Sequence, residues 1–115
     1  VVLRDGVANE RPVRIGGVGG IKTHPAARGR GYAPLGIETA LRFFEEQGDV
    51  AFALLVCEPH LVPYYTGLGW RGFPGRLLVR QHGAGEEFTF NRTMTLDIRE
   101  VAPAGGTIDL CGPPW

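Results

Sequence analysis

The clearest periodic pattern in the chain lies in residues 31–48. Ala33, Ile37, Ala40, Leu41 and Phe44 fall on one helical face, while Glu38, Arg42, Glu45 and Glu46 mostly occupy the other. Pro34 stands in the first turn, where a missing N–H costs little, and Gly48 is a C-terminal stop. Immediately after comes "VAFALLVC", residues 50–57, a continuous apolar run that predicts a central strand buried on both faces. Upstream, "VVLRDG" predicts a short strand closed by an Asp-Gly turn, and residues 12–23, "PVRIGGVGGIKT", predict one or two glycine-weakened strands. Downstream, Pro59 and Pro63 limit the next segment to a short helix, broken by Gly67 and Gly69 near Trp70. "RLLVR" and "EFTFNRTMTLDI" predict a hairpin around "QHGAGE". Phe88, Phe90, Met94, Leu96 and Ile98 keep one parity, as a half-buried strand should. The closing "APAGGTIDLCGPPW" is a structured, non-helical tail. The order is β-β-α-β-α-β-β, an α/β class.

Length and charge narrow the reading. A chain of 115 residues suits one domain, residues 1–115. Twelve basic residues balance twelve acidic ones, which argues against a nucleic-acid or membrane-surface binder. No apolar run approaches the roughly 20 residues that span a bilayer. Cys57 and Cys111 lie far apart in no metal or redox spacing, so no metal is expected. Reduced thiols and a cytoplasmic setting are the default.

The chemistry concentrates in "THPAARGRGYAPLG", residues 23–36, between a strand and a helix start. A helix N-terminus offers unpaired N–H groups and a positive dipole end, and glycines let the backbone close around a phosphate. The loop is neither a P-loop nor a dinucleotide fingerprint. It does fit Arg/Gln-x-x-Gly-x-Gly/Ala, as Arg28-Gly29-Arg30-Gly31-Tyr32-Ala33. Here the chain resembles the GNAT N-acetyltransferase superfamily, in which this loop grips the pyrophosphate of acetyl-coenzyme A. "VPYYTGLGW", residues 62–70, resembles the family's second signature, and the resemblance runs from about Val13 to Trp70.

The resemblance implies a GNAT-type mixed central sheet with flanking helices, lacking the family's N-terminal strand and helices, and a homodimer that covers the surface so exposed. It implies direct acetyl transfer from acetyl-coenzyme A, as co-substrate, to a primary amine of a small molecule. The alternative is a catalytically inactive acyl-coenzyme A-binding module that serves as a sensor or interaction domain. Ile21 and Thr23 match the positions whose backbone binds pantetheine, and the glycines at 16–20 fit a close approach there. Arg28, Gly29, Arg30, Gly31, Tyr32 and Ala33 match the coenzyme loop. Tyr65 matches the family's catalytic acid, with Tyr64 the neighbouring alternative. The glutamate that many relatives carry before the loop is replaced here by Val18-Gly19-Gly20. Glu58, His60 and a carboxylate at Trp115 are the remaining candidates for the base, and Glu58 is carried as the catalytic one. Cys57 reads as an inert core thiol. The closing "TIDLCGPPW" resembles the end of the aminoglycoside 2'-N-acetyltransferases. That likeness implies an aminoglycoside-like amine, with the Trp115 carboxylate in the substrate site.

Overall fold

β1 (Val2–Ala8) and β2 (Arg11–Gly17) form an antiparallel hairpin in the computed structural model of the chain. The model describes residues 1–19, 32–81, 84–89 and 91–115, with the backbone alone at 32–35, 81 and 84. The turn is Asn9-Glu10, at φ 49° and 70°. Two successive positive-φ residues match the right-handed twist of the flanking strands. The Asp5-Gly6 pair, expected to turn, lies inside β1, where Gly6 pairs with Val13. Glycine fits there because a Cβ would lie 2.7 Å from the Asp109 carbonyl oxygen of a neighbouring strand.

α1 (Tyr32–Gln47) buries Ile37, Ala40 and Phe44, as its periodicity predicts, and Gly48 follows at φ 79°. β3 (Phe52–Cys57) is almost wholly buried. It runs parallel to β2, from Ile15↔Phe52 to Gly17↔Leu54, and antiparallel to a later strand on its other edge. A 3₁₀ turn, Pro59–Leu61, leads into α2 (Val62–Gly67), which ends near Gly69 at φ 99°.

The remaining strands are β4 (Arg71–Gly72), β5 (Arg76–Gln81), β6 (Ala84–Glu87), β7 (Arg92–Asp97) and β8 (Thr107–Asp109). Among the described residues they complete an eight-stranded mixed sheet of order β4-β7-β3-β2-β1-β8-β5-β6. The expected hairpin is corrected here. β5 pairs with β6, but β7 pairs with β3 and β4, and four strands lie between β7 and β5. The change of partner separates the shared parity into two cores. Met94, Leu96 and Ile98 pack on the helix side, whereas Phe88 packs on the opposite face, and Phe90 lies outside the described residues. The closing segment also carries a strand, β8, parallel to β5 and antiparallel to β1.

Both helices cover one face, where Val18, Phe44, Leu55, Tyr65, Trp70 and Met94 form a core. The other face needs no helix. The sheet curls so that Leu77, Val79, Ile108 and Leu110 close over Ile15, Phe52 and Leu54. The molecule is thus a mixed α/β fold built on a curled sheet. Among the described residues, no helix is long and apolar enough to cross a membrane.

Candidate functional site at the fork between β2 and β3

The parallel ladder between β2 and β3 ends where the Val18 N–H donates to the Leu54 carbonyl at 3.0 Å. β3 continues to Cys57, still paired with β7 through Val56↔Thr93 and Cys57↔Arg92. Backbone groups alternate between the two edges of a strand. Leu54 faces β2, so Val56 also turns its N–H and C=O toward β2. Among the described residues, no β2 backbone group meets them. Over the described residues, the two parallel strands thus form a fork at their C-terminal ends, where no described β2 group pairs with Val56. In open α/β sheets, ligands sit outside the carboxyl ends of parallel strands.

Tyr65 stands on α2, directly after β3, and is 5% exposed. Its ring meets Tyr64 edge-on at 5.1 Å and Trp70 at 6.4 Å. Its carbonyl accepts the N–H groups of Leu68 and Trp70, at 3.0 and 3.1 Å, which tie down the end of the helix. Burial pushes the hydroxyl above the ordinary tyrosine range, and Cys57 and Tyr64 push it the same way. The group stays protonated at neutral pH. The Cys57 thiol is also raised by burial, as an inert core thiol should be. Val18, Cys57, Tyr65 and Trp70 share one core, so the end of β2, the end of β3 and α2 converge. The Trp70 Nε1 is buried there without a hydrogen-bond partner among the described residues.

Glu58 and His60 lie on the surface beyond β3, and His60 Nδ1 is 3.3 Å from the Glu58 carboxylate. The carboxylate thus has a partner outside the core that holds Tyr65. Tyr64 is exposed at 41%. Trp115 comes to the fork from the opposite face. Its Nε1 donates to the same Leu54 carbonyl at 3.1 Å, and its ring lies flat over Gly17.

A Cβ on Gly17 would lie 2.7 Å from Trp115 Cδ2 and closer still to Cε2, and one on Gly16 would lie 2.8 Å from the Phe44 ring. Sequence reasoning assigned these glycines to a bound coenzyme. In the fold, they admit an indole on one face and a phenyl ring on the other. Ile21, Thr23, Arg28, Gly29, Arg30 and Gly31 lie outside the described residues, as do the side chains of Tyr32 and Ala33, whose backbone opens α1. Arg4 escaped the sequence reading. It approaches Trp115 from β1, and a single arginine in a short strand carries no signal of such a long-range contact.

Neither a scan against protein-family models nor a search of the curated proteins returned a match for this chain. No group of three or more His, Cys, Asp or Glu side chains placed to hold a metal ion occurs among the described residues.

Proposed function

We propose that the chain is a GNAT-type N-acetyltransferase that moves the acetyl group of acetyl-coenzyme A directly to a primary amine of a small molecule. The fork carries this reading. Two adjacent parallel strands are joined through α1, and their ladder stops at Leu54 while β3 runs on to Cys57. In sequence, the arginine-glycine loop lies between the end of β2 and the start of α1. A diphosphate seated on that loop would meet the positive end of the α1 dipole, beside the fork.

An extended pantetheine arm has alternating amide donors and acceptors, which suit a strand edge such as that at Val56, where no described β2 group pairs. Transfer needs a neutral amine and a proton for the departing thiolate. The Tyr65 hydroxyl, kept protonated by its surroundings, is the group assigned to the second task. Glu58 is the weaker assignment for the first, since its carboxylate faces His60 on the surface. An aminoglycoside-like amine is the acceptor suggested by the closing residues.

A second reading, an acyl-coenzyme A-binding module without turnover, is favoured by one observation. Val18, which stands at the start of the stretch where many relatives carry an acid, is buried in the apolar core. A thiol-release assay with acetyl-coenzyme A and a panel of small primary amines separates the two. Amine-dependent thiol release is the expected result. Coenzyme A binding without thiol release for any amine would establish the second reading instead.

A further inference from the structure

Segment Cys111–Trp115 crosses the sheet face opposite the helices and reaches the fork; the Arg80 N–H donates to the Gly112 carbonyl at 2.9 Å near its start, and one β1 side chain holds it further along. Arg4 stands opposite Ile15 in the β1–β2 register, on the face that receives the indole. Its Nη1 donates to the Pro113 carbonyl at 2.7 Å, and its Cζ lies 5.2 Å from the centre of the Trp115 ring. A Cβ on Gly112 would lie 2.6 Å from the same Nη1, so the guanidinium is inserted between the backbone of the segment and the indole. Arg4 makes no salt bridge among the described residues, and its hydrogen bond to Pro113 and its contact with the Trp115 ring both go to this segment.

The arrangement is that of a latched strap. At its far end, Trp115 donates to Leu54, the last carbonyl of the β2–β3 ladder, and its carbonyl carbon would lie 3.0 Å from a Cβ on Gly19. The ring is only partly buried. It forms a wall at the mouth of the fork on the face away from α1. Pro113 and Pro114 restrict the approach to it, which lowers the entropy lost in seating the ring.

We propose that Arg4 is a positioning residue: it holds the strap so that the Trp115 indole forms the wall past which the acceptor amine enters the fork. The consequence for the amine rests on the acetyl-transfer reading; the latch itself does not.

Acrylamide quenching of tryptophan emission reads the latch directly. Trp70 is 1% exposed, so the quenchable emission belongs to Trp115, which Trp115→Phe verifies. Arg4→Met removes the charge and the hydrogen bond, and the unlatched fraction is expected to rise about tenfold. Arg4→Lys keeps a cation over the ring and should give an intermediate value. Gly17→Ala, which displaces the ring with Arg4 intact, should match Arg4→Met. In the kinetic arm, with an aminoglycoside as the amine probe, Arg4→Met should raise the amine KM while coenzyme A affinity, set at the phosphates, stays unchanged. Wild-type quenching in Arg4→Met would overturn the latch, and raised quenching with an unchanged amine KM would overturn the wall. If wild-type protein releases no thiol with any amine, the acetyl-transfer reading fails, and the role at the amine entrance fails with it. The quenching series still decides whether Arg4 positions Trp115.

Discussion

A group whose task is to donate a proton must hold it at the working pH, although a raised pKa also makes it a weaker acid. Tyr65 meets that condition: its surroundings favour the protonated form beyond the ordinary value of 10.0. Removing the hydroxyl while keeping the ring tests the assignment without disturbing the contact with Trp70. Tyr65→Phe should leave coenzyme A affinity unchanged and lower turnover by the ~10²–10⁴ typical of a lost general acid. Unchanged turnover in stopped-flow thiol release would remove Tyr65 from the mechanism. Asp109 provides the opposite case. Its partial burial alone would raise the carboxyl pKa, but the Cys111 N–H at 2.8 Å and the Arg80 guanidinium at 3.3 Å outweigh it, and the net direction is down. A carboxyl held below its unfolded value of 3.8 stabilises the fold above that pH and loses the contribution as pH falls through the folded value. Asp109→Asn should therefore melt further below wild type at about pH 6 than at about pH 3. A difference of equal size at both values would mean that the charge is not responsible.

At the scale of elements, α1 contains a residue that its helix does not need. Gly36 is exposed, and a Cβ there would meet nothing within 4 Å. Gly36→Ala should stabilise the protein by about 0.5–1 kcal/mol, read from the urea midpoint at unchanged slope. No shift would imply that the glycine serves a contact beyond the described residues. α1 was legible because five apolar positions mark one face, and β3 because an unbroken apolar run suits a strand covered on both sides. α2 was legible from its prolines and glycines. Strand partners were not. β5, β6 and β7 follow one another in sequence, and nothing local to them says that β7 crosses to β3 while β6 stays with β5. The Asn9-Glu10 turn was hidden because Glu10 is not a usual positive-φ residue, whereas Asp5-Gly6 carries the usual turn signal for another reason, the close approach of the Asp109 carbonyl from β8. Candidate-site residues divide the same way. Tyr65 could be picked out from a local motif, but the meeting of Arg4, Gly17 and Trp115 depends on the curl of the whole sheet.

At the scale of the molecule, the curl decides how the two faces are used. Both helices cover one face and the sheet's own strands cover most of the other, so the fork between β2 and β3 is bordered by different structures on its two sides. Tyr65 lies toward the helix side, and Trp115 lies on the opposite side. An acyl donor threaded along the open edge of β3 would have a proton donor on one flank and an entrance for the acceptor on the other. This division of labour requires that coenzyme A bind at the loop between β2 and α1, and calorimetric titration of coenzyme A into wild-type protein and Gly31→Phe measures it. The account predicts one coenzyme per wild-type chain and loss of binding in the variant at an unchanged melting temperature, because a bulky side chain blocks the amides from the diphosphate. No binding to wild type, or equal affinity in the folded variant, would contradict it.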